Sequence, residues 1–353
     1  MKVVICWSGM QGYVAACLRA LDQVPGVDIH VFHLDFCDLP FQEELLAGIS
    51  NERLVASAPN TDIADKVAAL HPDVILLCGW FYPQYRQLAF EPRLGRAKFV
   101  LGMDTPWTGS WQQRVNQVRL KKFMRRMAKI VVAGTKSADF ARRLDAAPGK
   151  IVTGFYGFDF AAFCERGGQL LDETPEWPKK FLYAGRYVPE KGLPFLMEGY
   201  QRYRQKVADP WPLHCCGTGP EADLLKRDGV RDLGYVQPSA LPELFAGHGV
   251  FVMPSLEEPW GVAIGEAAAT GLPLVCSEVC GAAVDLLRPF YNGVTVPPAD
   301  AAALANALEW MHNNHDRLRT FGHRSRNLAH PFSAEAWAER LHACFNSVVN
   351  GQT

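Results

Sequence analysis

Short apolar runs alternate along the chain with amphipathic segments of helical length. The runs are rich in Val, Ile and Leu, which is typical of strands buried on both faces of a parallel sheet. Between them, apolar residues recur every three or four positions, which predicts helices that cover the sheet. The predicted strands are Val3–Trp7, Asp28–His33, Asp73–Cys78, Lys98–Leu101, Ile130–Ala133, Phe181–Gly185, Leu213–Cys216, Val250–Met253 and Leu272–Cys276.

The alternation predicts an α/β protein with two doubly wound domains, each of which would bind ligands at the carboxyl ends of its strands. Residues 157–180 interrupt the pattern with turn-forming and charged residues and are interpreted as an inter-domain linker. The predicted domains are therefore residues 1–160 and 175–330. The predicted helices are Tyr13–Asp22, Ile63–His71, Ser110–Met127, Leu193–Val207, Ser239–Ala246, Val262–Thr270 and Ala334–Val349.

Composition narrows the class of protein. The 353 residues are 48% hydrophobic and 21% charged with a net charge of −1, a globular profile that argues against a dedicated nucleic-acid binder. The ten cysteines show no metal-binding spacing, and several lie in apolar runs, which favours buried thiols in a reducing compartment. The first apolar run is too short for a signal peptide, and no stretch approaches the roughly 20 apolar residues of a membrane span. We therefore expect a cytoplasmic protein.

The motif with the richest chemistry is MPSLEEPWGVAIGEAAATGLPLV, in which Glu258 and Glu266 are eight residues apart. Eight helical residues span about 12 Å, a length suited to one carboxylate at a sugar and the other at a ribose. Carboxylates accept hydrogen bonds from paired hydroxyl groups. The helix that starts near Gly261 and Val262 would attract a diphosphate through its free amides and its dipole.

A second motif, AGRYVPEKG, follows the predicted strand Phe181–Gly185 and places Arg186 and Lys191 at its carboxyl end. A guanidinium and an ammonium both bind phosphate, and together with a helix N-terminus they could stabilise a leaving diphosphate. The chain contains no Asp-x-Asp motif. We therefore expect neither a metal nor a cofactor.

Four segments carry a resemblance to a known family: GRYVPEKG, CGTGPEADLL, GYVQPSALPELF and FVMPSLEEPWGVAIGEAAATGLPLV. Their order resembles that of retaining GT-B glycosyltransferases of the family-4 type, over most of residues 180–290. The resemblance implies two Rossmann-like domains that face a central cleft, with the helix at 334–349 packed back on the first. It also implies a UDP- or GDP-sugar donor and a glycan or lipid-linked acceptor.

The resemblance assigns roles to individual residues. It implies that Glu258 contacts the donor sugar, Glu266 the ribose and Val236 the base, and that Arg186 and Lys191 bind the diphosphate. Gly9 and Gly12 resemble the glycine-rich first loop of the family, which approaches the donor and the acceptor, so Gly12 is a candidate donor-binding residue. Two positions depart from the family pattern. Asp104 falls near the place of a histidine beside the reacting sugar and is, with Glu258, a candidate catalytic residue, and Gly249 stands in place of an aspartate.

Other interpretations remain open at this point. The two glutamates could be surface carboxylates, Arg186 and Lys191 could pair with Glu190, and Asp104 could be a turn residue before Thr105. A lone histidine such as His248 is usually structural. On the same architecture, an epimerase, a phosphorylase or a non-catalytic nucleotide-sugar-binding protein is an alternative to a transferase.

The segment 114–129 is strongly basic and contains no acid. It interleaves the apolar residues Val115, Val118, Phe123 and Met127. It could be a solvated helix face, or an amphipathic surface that contacts anionic lipid from the cytoplasmic side. Its basic residues are Arg114, Arg119, Lys121, Lys122, Arg125, Arg126 and Lys129.

Overall fold

The computed structural model describes residues 1–34, 41–54, 60–173 and 176–351. The chain divides into two compact units, which we call unit 1 and unit 2. Unit 1 comprises Met1–Gly157 together with Ala334–Thr353, and unit 2 comprises Phe158–Ser333. Each unit is built on its own parallel sheet with helices, which confirms the predicted α/β fold class.

The sheet of unit 1 has seven parallel strands in the order β3-β2-β1-β4-β5-β6-β7. Its strands are β1 Lys2–Trp7, β2 Asp28–Leu34, β3 Ser50–Leu54, β4 Val74–Cys78, β5 Lys98–Met103, β6 Met127–Val132 and β7 Ile151–Thr153. The five inner strands match the apolar runs of the sequence. The edge strands β3 and β7 were not predicted, because they are mostly exposed or half-buried and therefore carry no continuous apolar run.

The helices of unit 1 include one from the far end of the chain. They are α1 Gly12–Asp22, α2 Asn60–Ala69, α3 Pro83–Leu88, α4 Trp111–Arg119, α5 Lys121–Arg126, α6 Thr135–Arg143 and the C-terminal helix, Ala334–Val349. The C-terminal helix buries Trp337, Leu341 and Phe345 in the same core as Val14 and Leu18 of α1. The indole of Trp337 donates to the carbonyl of Phe155 over 2.6 Å, which anchors the helix to this unit.

The predicted helix Ser110–Met127 is two helices, α4 and α5, that meet at Leu120. Ser110 caps α4 by accepting a hydrogen bond from the amide of Gln113. Met127 does not continue the helix, because it is fully buried and pairs with Phe99 as the first residue of β6. Pairing of Met127 with β5 therefore ends α5 at Arg126, although the run of basic residues continues to Lys129.

The sheet of unit 2 has six parallel strands in the order β10-β9-β8-β11-β12-β13. They are β8 Phe181–Ala184, β9 Leu213–Cys216, β10 Val230–Asp232, β11 Val250–Met253, β12 Leu274–Ser277 and β13 Gly293–Val296. The sequence predicted the four inner strands and missed the two edge strands. β10 is exposed or half-buried throughout, and only the first and last of the four residues of β13 are buried. The chain order reverses between β8 and β11, and this switch point is where open α/β sheets bind ligands.

The helices of unit 2 are α7 Phe160–Gly168, α8 Leu193–Arg204, α9 Leu241–Ala246, α10 Val262–Thr270, α11 Gly281–Leu286, α12 Ala301–Asn313 and α13 Leu318–Ala329. The C-terminal helix of unit 1, Ala334–Val349, is the last helix of the chain and is called α14.

The helix α7 occupies the segment interpreted as a linker. Asp159 caps it by accepting from the amide of Ala162 over 3.1 Å, and Phe163 is buried. The prediction of a linker at 157–180 was therefore wrong, and unit 2 begins at 158 rather than 175. Thr174 and Pro175 of that segment lie outside the described residues.

Gly249 has a steric reason to lack a side chain. A Cβ at this position would lie 1.7 Å from the carbonyl oxygen of Pro178, and the carbonyl of Gly249 accepts a hydrogen bond from the Trp177 indole over 2.9 Å. The close approach of the 177–178 segment thus excludes the aspartate that the family pattern carries there. The departure is structural.

His248 is buried and pairs with the half-buried imidazole of His214. Its Nε2 lies 2.9 Å from Nδ1 of His214, and its Nδ1 lies 2.7 Å from the carbonyl of Leu244. Burial lowers the pKa of His248 to about 4, so the ring is neutral at pH 7. The interactions of the ring are with its own unit, which supports the structural interpretation.

Candidate functional site

Two loops meet at the switch point of unit 2, where β8 and β11 lie side by side. The loop after β8 carries Arg186 and Lys191, and the loop after β11 carries Glu258. Because the strands are parallel, their carboxyl ends share one edge of the sheet. The topology therefore brings together two motifs that are about 70 residues apart in sequence.

Backbone hydrogen bonds dock the first loop onto the second. The carbonyl of Glu190 accepts from the amide of Leu256 over 2.8 Å and from the amide of Glu257 over 3.1 Å. Gly192 closes the turn in the left-handed region with φ of 71°, and a Cβ there would lie 2.6 Å from the carbonyl of Pro254. Only glycine satisfies both conditions, so the last residue of PEKG is required to seat Lys191 at this edge.

Lys191 and Glu258 form an ion pair between the Nζ and Oε2 atoms. The side chains are only 13% and 9% exposed. The sequence predicted a different partner for each of them, a phosphate for Lys191 and a sugar for Glu258. A nearly buried pair of this kind has lost most of its solvation, so removal of either partner leaves an uncompensated charge.

The start of α11 holds the loop that contains Glu258. The amide of Gly281 donates to the carbonyl of Glu258 over 3.1 Å, and the amide of Ala282 donates to the carbonyl of Trp260 over 2.8 Å. A Cβ on Gly281 would lie 2.0 Å from the carbonyl of Pro259, so the backbones approach too closely for a side chain. The loop is thus supported from both neighbouring elements.

The helix α10 begins beside the Glu258 side chain. Its N-cap Gly261 is left-handed with φ of 95°, and a Cβ on Gly261 would lie 3.1 Å from the Cγ of Glu258. The first helical residue is Val262, so between the two glutamates only the residues from Val262 onward are helical, and α10 continues past Glu266 to Thr270. The predicted helical span of about 12 Å between the two glutamates was therefore wrong, because a helical rise does not apply to residues 258–261.

Glu266 lies half-buried on α10, one turn along the helix from Val262. Burial, with a smaller contribution from the negative charge of Asp159, raises the pKa of Glu266 to about 7. Asp159 caps α7, which packs tightly on α10: a Cβ on Gly167 of α7 would lie 1.9 Å from the carbonyl oxygen of Thr270 at the end of α10. The role of Asp159 was missed by the sequence analysis, which assigned it to a linker.

Arg186 is more exposed than Lys191. Its side chain is 63% exposed, and its NH2 lies 3.2 Å from Oε1 of Glu190. Its backbone carbonyl accepts from the hydroxyl of Tyr183 over 2.8 Å, which fixes the loop. An exposed pair is weak, so Arg186 can leave Glu190 for another anion at little cost.

Two further residues belong to this edge of unit 2. Ser255 is the serine of the Pro-Ser turn after β11 and is fully buried, and its hydroxyl has no hydrogen-bond partner within the described part of the chain. Val236, the predicted base-contacting residue, is half-buried, and its backbone hydrogen-bonds the thiol of Cys216 at the end of β9. The sequence had no signal for Ser255 beyond its position after the strand.

A polar cluster lies at the carboxyl ends of β4 and β5 in unit 1. The carboxylate of Asp104 accepts from the Tyr156 hydroxyl over 2.9 Å, and the thiol of Cys78 donates to Ser8 over 3.7 Å. Burial raises the pKa of Asp104 above its usual range. Asp104 is therefore more than a turn residue, and Tyr156 is a partner that sequence reasoning missed.

Gly12 is the first residue of α1 and follows the β1 loop that contains Ser8 and Gly9. The loop lies at the carboxyl end of β1, and the strand order of the unit 1 sheet reverses between β1 and β4. Gly9 and Gly12 are half-buried. The loop therefore lies beside the switch point of this sheet, and its role in binding stays a prediction.

In the basic segment 114–129, some side chains are buried in the core of unit 1 and others are exposed to solvent. Phe123 and Met127 belong to the core, whereas Val118 is 76% exposed and Trp111 is 70% exposed. Arg126 donates to the carbonyl of Ala89 over 2.9 Å, and Lys129 donates to that of Gly149 over 2.7 Å. Arg126 is therefore held against the unit although it is exposed. We define the α4 face as the other exposed apolar and basic residues of α4 and α5, namely Trp111, Arg114, Val115, Val118, Arg119, Lys121, Lys122 and Arg125.

Within 1–34, 41–54, 60–173 and 176–351, no three His, Cys, Asp or Glu side chains are grouped so that they could hold a metal ion. Over the same ranges, every helix is too short or too polar to cross a lipid bilayer.

Most of unit 2 matches a family of known proteins. Residues 178–314 match the family described as glycosyl transferases group 1. Over 112 residues the chain is 38% identical to the O-antigen chain mannosyltransferase B of Escherichia coli, an alignment that covers 29% of this chain and 29% of that protein. The chain therefore spans well under half the length of this curated relative.

Solved structures match nearly the whole chain. HepE of Anabaena, solved in complex with UDP, superposes with a TM-score of 0.77 at 17% identity and covers 98% of this chain and 100% of its own. The sucrose-phosphate synthase of Thermosynechococcus elongatus superposes with a TM-score of 0.75 at 19% identity, covering 99% and 100%. At this level of identity the likeness shows the fold, and it agrees with the GT-B class expected from the sequence.

Proposed function

We propose that this protein is a retaining glycosyltransferase that moves a sugar from a nucleotide-diphosphate donor to an acceptor hydroxyl. The observation that carries the proposal is the Lys191–Glu258 pair at the start of α10. A cation, a carboxylate and a helix N-terminus meet there at the switch point of the unit 2 sheet. This set of groups can bind a diphosphate and sugar hydroxyls at adjacent positions.

Each group has a defined task in the proposed donor complex. Glu266 accepts hydrogen bonds from the ribose hydroxyls, and Glu258 accepts from hydroxyls of the sugar. Lys191, Arg186 and the amides at Gly261 and Val262 bind the diphosphate, and the backbone at Val236 contacts the base. Stabilisation of the departing diphosphate is the main electrostatic demand of the reaction.

The proposed reaction proceeds with retention at the anomeric carbon. The bond between that carbon and the phosphate oxygen breaks, and the acceptor oxygen bonds to the same face. The acceptor proton passes to an oxygen of the leaving diphosphate. In unit 1, Asp104 acts on the acceptor hydroxyl, and Tyr156 orients Asp104 through its 2.9 Å hydrogen bond.

A screen of nucleotide sugars tests the proposal. UDP-, GDP- and ADP-sugars are compared by thermal shift, because a ligand specific for the native state raises the melting temperature by mass action. The donor found in this way is then incubated with glycan and lipid-linked acceptors. Sugar transfer supports the proposal, whereas epimerised donor or phosphate-dependent cleavage supports the rival enzymes. Binding without turnover supports a non-catalytic nucleotide-sugar-binding protein.

Donor affinity is expected to depend on pH through Glu266. Ribose hydroxyls donate to the carboxylate, so the donor prefers the deprotonated form, and binding should strengthen as pH rises from 6 through about 7. Below that pKa the affinity should fall by up to about tenfold per pH unit. Isothermal titration between pH 5.5 and 8.5 measures this dependence.

Asp159→Asn is the matched control for the pH profile. Asparagine also caps helices, so α7 should be retained while the negative charge beside Glu266 is removed. The pKa of Glu266 should fall, and the rise in donor affinity should move to lower pH. An unchanged profile in both Asp159→Asn and Glu266→Gln would exclude Glu266 from donor binding.

We further propose that unit 1 contacts a membrane surface through the α4 face. Trp111, Val115 and Val118 lie four and three residues apart, so they form one apolar stripe on α4, and the basic residues of the face are exposed around it. An apolar stripe beside a cluster of cations is the arrangement that binds the interface of an anionic bilayer. Such contact fits a lipid-linked acceptor and a peripheral location on the cytoplasmic leaflet.

Co-sedimentation with vesicles tests the α4 face. The protein should bind vesicles that contain phosphatidylglycerol and remain free with pure phosphatidylcholine. Lys122→Gln with Arg125→Gln should weaken binding roughly thirtyfold, at about 1 kcal/mol for each cation. Val118→Ser should also weaken it, whereas Val284→Ser, at an exposed valine of unit 2, should not. Equal binding by all variants would contradict this contact.

A further inference from the structure

Glu258 occupies the position on Lys191 that an anionic ligand would take. The ammonium of Lys191 is paired with the Glu258 carboxylate, and both side chains are nearly buried. A carboxylate oxygen and a phosphate oxygen make the same kind of charge-assisted hydrogen bond to an ammonium group. In the ligand-free protein, the cation predicted to bind the diphosphate is therefore already neutralised by the residue predicted to bind the sugar.

The helix N-terminus is subject to the same competition. The side chain of Glu258 lies against Gly261, where a Cβ would be 3.1 Å from its Cγ and 3.5 Å from its Cδ. The positive end of α10 thus faces a carboxylate of the protein. Because the Glu190 carbonyl ties the turn of Lys191 to the amides of Leu256 and Glu257, the backbone holds both partners at this edge.

A free diphosphate and a diphosphate that carries a sugar would have different effects on the Lys191–Glu258 pair. A diphosphate alone would take Lys191 and leave the Glu258 carboxylate nearly buried, unpaired and next to further negative charge. A sugar diphosphate would take Lys191 and at the same time supply hydroxyl donors to Glu258. Only the sugar diphosphate therefore supplies a new partner for both Lys191 and Glu258.

We infer that Glu258 is an internal competitor of the diphosphate for Lys191, which makes the site select the intact sugar nucleotide over the free nucleoside diphosphate. The inference rests on the proposed function and adds a consequence to it. Once the sugar has been transferred, Glu258 loses its hydroxyl partners and returns to Lys191. Its return displaces the nucleoside diphosphate and promotes product release, a step that limits the turnover of many enzymes.

The exposed pair Arg186–Glu190 is the internal control. The two pairs lie on the same loop, but the side chains of Arg186 and Glu190 are 63% and 41% exposed. Water solvates either partner when that pair opens, so Glu190 should compete only weakly. Glu190→Gln and Glu258→Gln thus make the same chemical change at an exposed and at a nearly buried partner of a cation.

Isothermal titration with UDP, GDP, UDP-glucose, GDP-mannose and inorganic pyrophosphate tests the inference. In Glu258→Gln, the matching nucleoside diphosphate and pyrophosphate should bind at least about tenfold more tightly, and the sugar nucleotide at least about tenfold more weakly. Glu190→Gln should change each affinity less than about threefold. In the wild type, the sugar nucleotide should bind more tightly than its own nucleoside diphosphate, a test that needs no variant.

The outcomes separate the inference from the proposed function. If the wild type binds a sugar nucleotide but Glu258→Gln binds the diphosphate no better, the competition is refuted and the transferase proposal stands. If the wild type binds none of the nucleotides or sugar nucleotides, the proposed function fails. Pyrophosphate then still tests the competition, which requires tighter binding by Glu258→Gln than by the wild type.

Discussion

Replacing Lys191 by methionine is expected to lower kcat/KM for sugar transfer by roughly 10³-fold. The same change should lower the free energy of unfolding of unit 2 by about 3 kcal/mol, because it leaves the nearly buried Glu258 carboxylate without its cation. Both effects follow from one side chain that serves the fold in the free protein and the diphosphate in the complex. Steady-state kinetics and thermal unfolding of the same preparation measure them.

A double variant separates the two effects of losing Lys191. In Lys191→Met with Glu258→Gln, no buried charge remains unpaired, so most of the lost stability should return. Transfer should stay at least as low as in the single variant, because the cation and the carboxylate proposed to contact the sugar are both missing. Lys226→Met, which breaks the exposed pair with Asp223, should leave both quantities unchanged. Recovery of transfer in the double variant would contradict a role in donor binding for both Lys191 and Glu258.

Gly167→Ala is expected to destabilise unit 2 by about 3 kcal/mol or more, while the adjacent Gly168→Ala is neutral or stabilising by up to about 1 kcal/mol. A Cβ on Gly167 would lie 1.9 Å from the carbonyl oxygen of Thr270, whereas one on Gly168 would meet nothing within 4 Å. The Thr270 carbonyl is backbone at the end of α10, so it cannot move aside without shifting that helix. Thermal unfolding should show a melting temperature roughly 6–12 °C lower for Gly167→Ala.

The two alanine variants should also differ in donor binding. Because α10 carries Glu266 and begins beside Glu258, a shift of the helix should also weaken donor binding in Gly167→Ala. Gly168→Ala adds the same methyl group one residue later and should bind donor normally. Equal melting temperatures for the two variants would contradict the close packing of α7 on α10.

Much of the fold could be predicted from the sequence because inner strands of a parallel sheet are buried on both faces. Val250–Met253 and Leu213–Cys216 coincide with the observed strands residue for residue. The edge strand Ser50–Leu54 was missed because only Leu54 of it is buried. The helix α7 was missed because its C-terminal end, ERGG, has the composition of a linker. Its burial against α10 depends on residues about 100 positions away in the sequence.

The candidate site shows the same division. The motifs placed Arg186, Lys191, Glu258 and the start of α10 after strands, and parallel strands bring such positions to one edge whatever the details of packing. The sequence could not predict that Lys191 and Glu258 would be paired, because that contact requires the turn at Gly192 to dock on the loop of residues 254–258. Nor could it separate Val118 from Phe123 in the basic segment, since both fit a helical pattern.

By itself, then, the sequence determined the α/β class, the inner strands of both sheets and the residue types that line the ligand-binding edge of unit 2, because hydrophobic periodicity and strand polarity are local properties. Tertiary structure alone decided which charges neutralise each other, which of two adjacent glycines touches a carbonyl and which apolar side chains stay exposed. Those outcomes depend on distances between backbones remote in sequence, where a displacement of about 1 Å decides between contact and overlap.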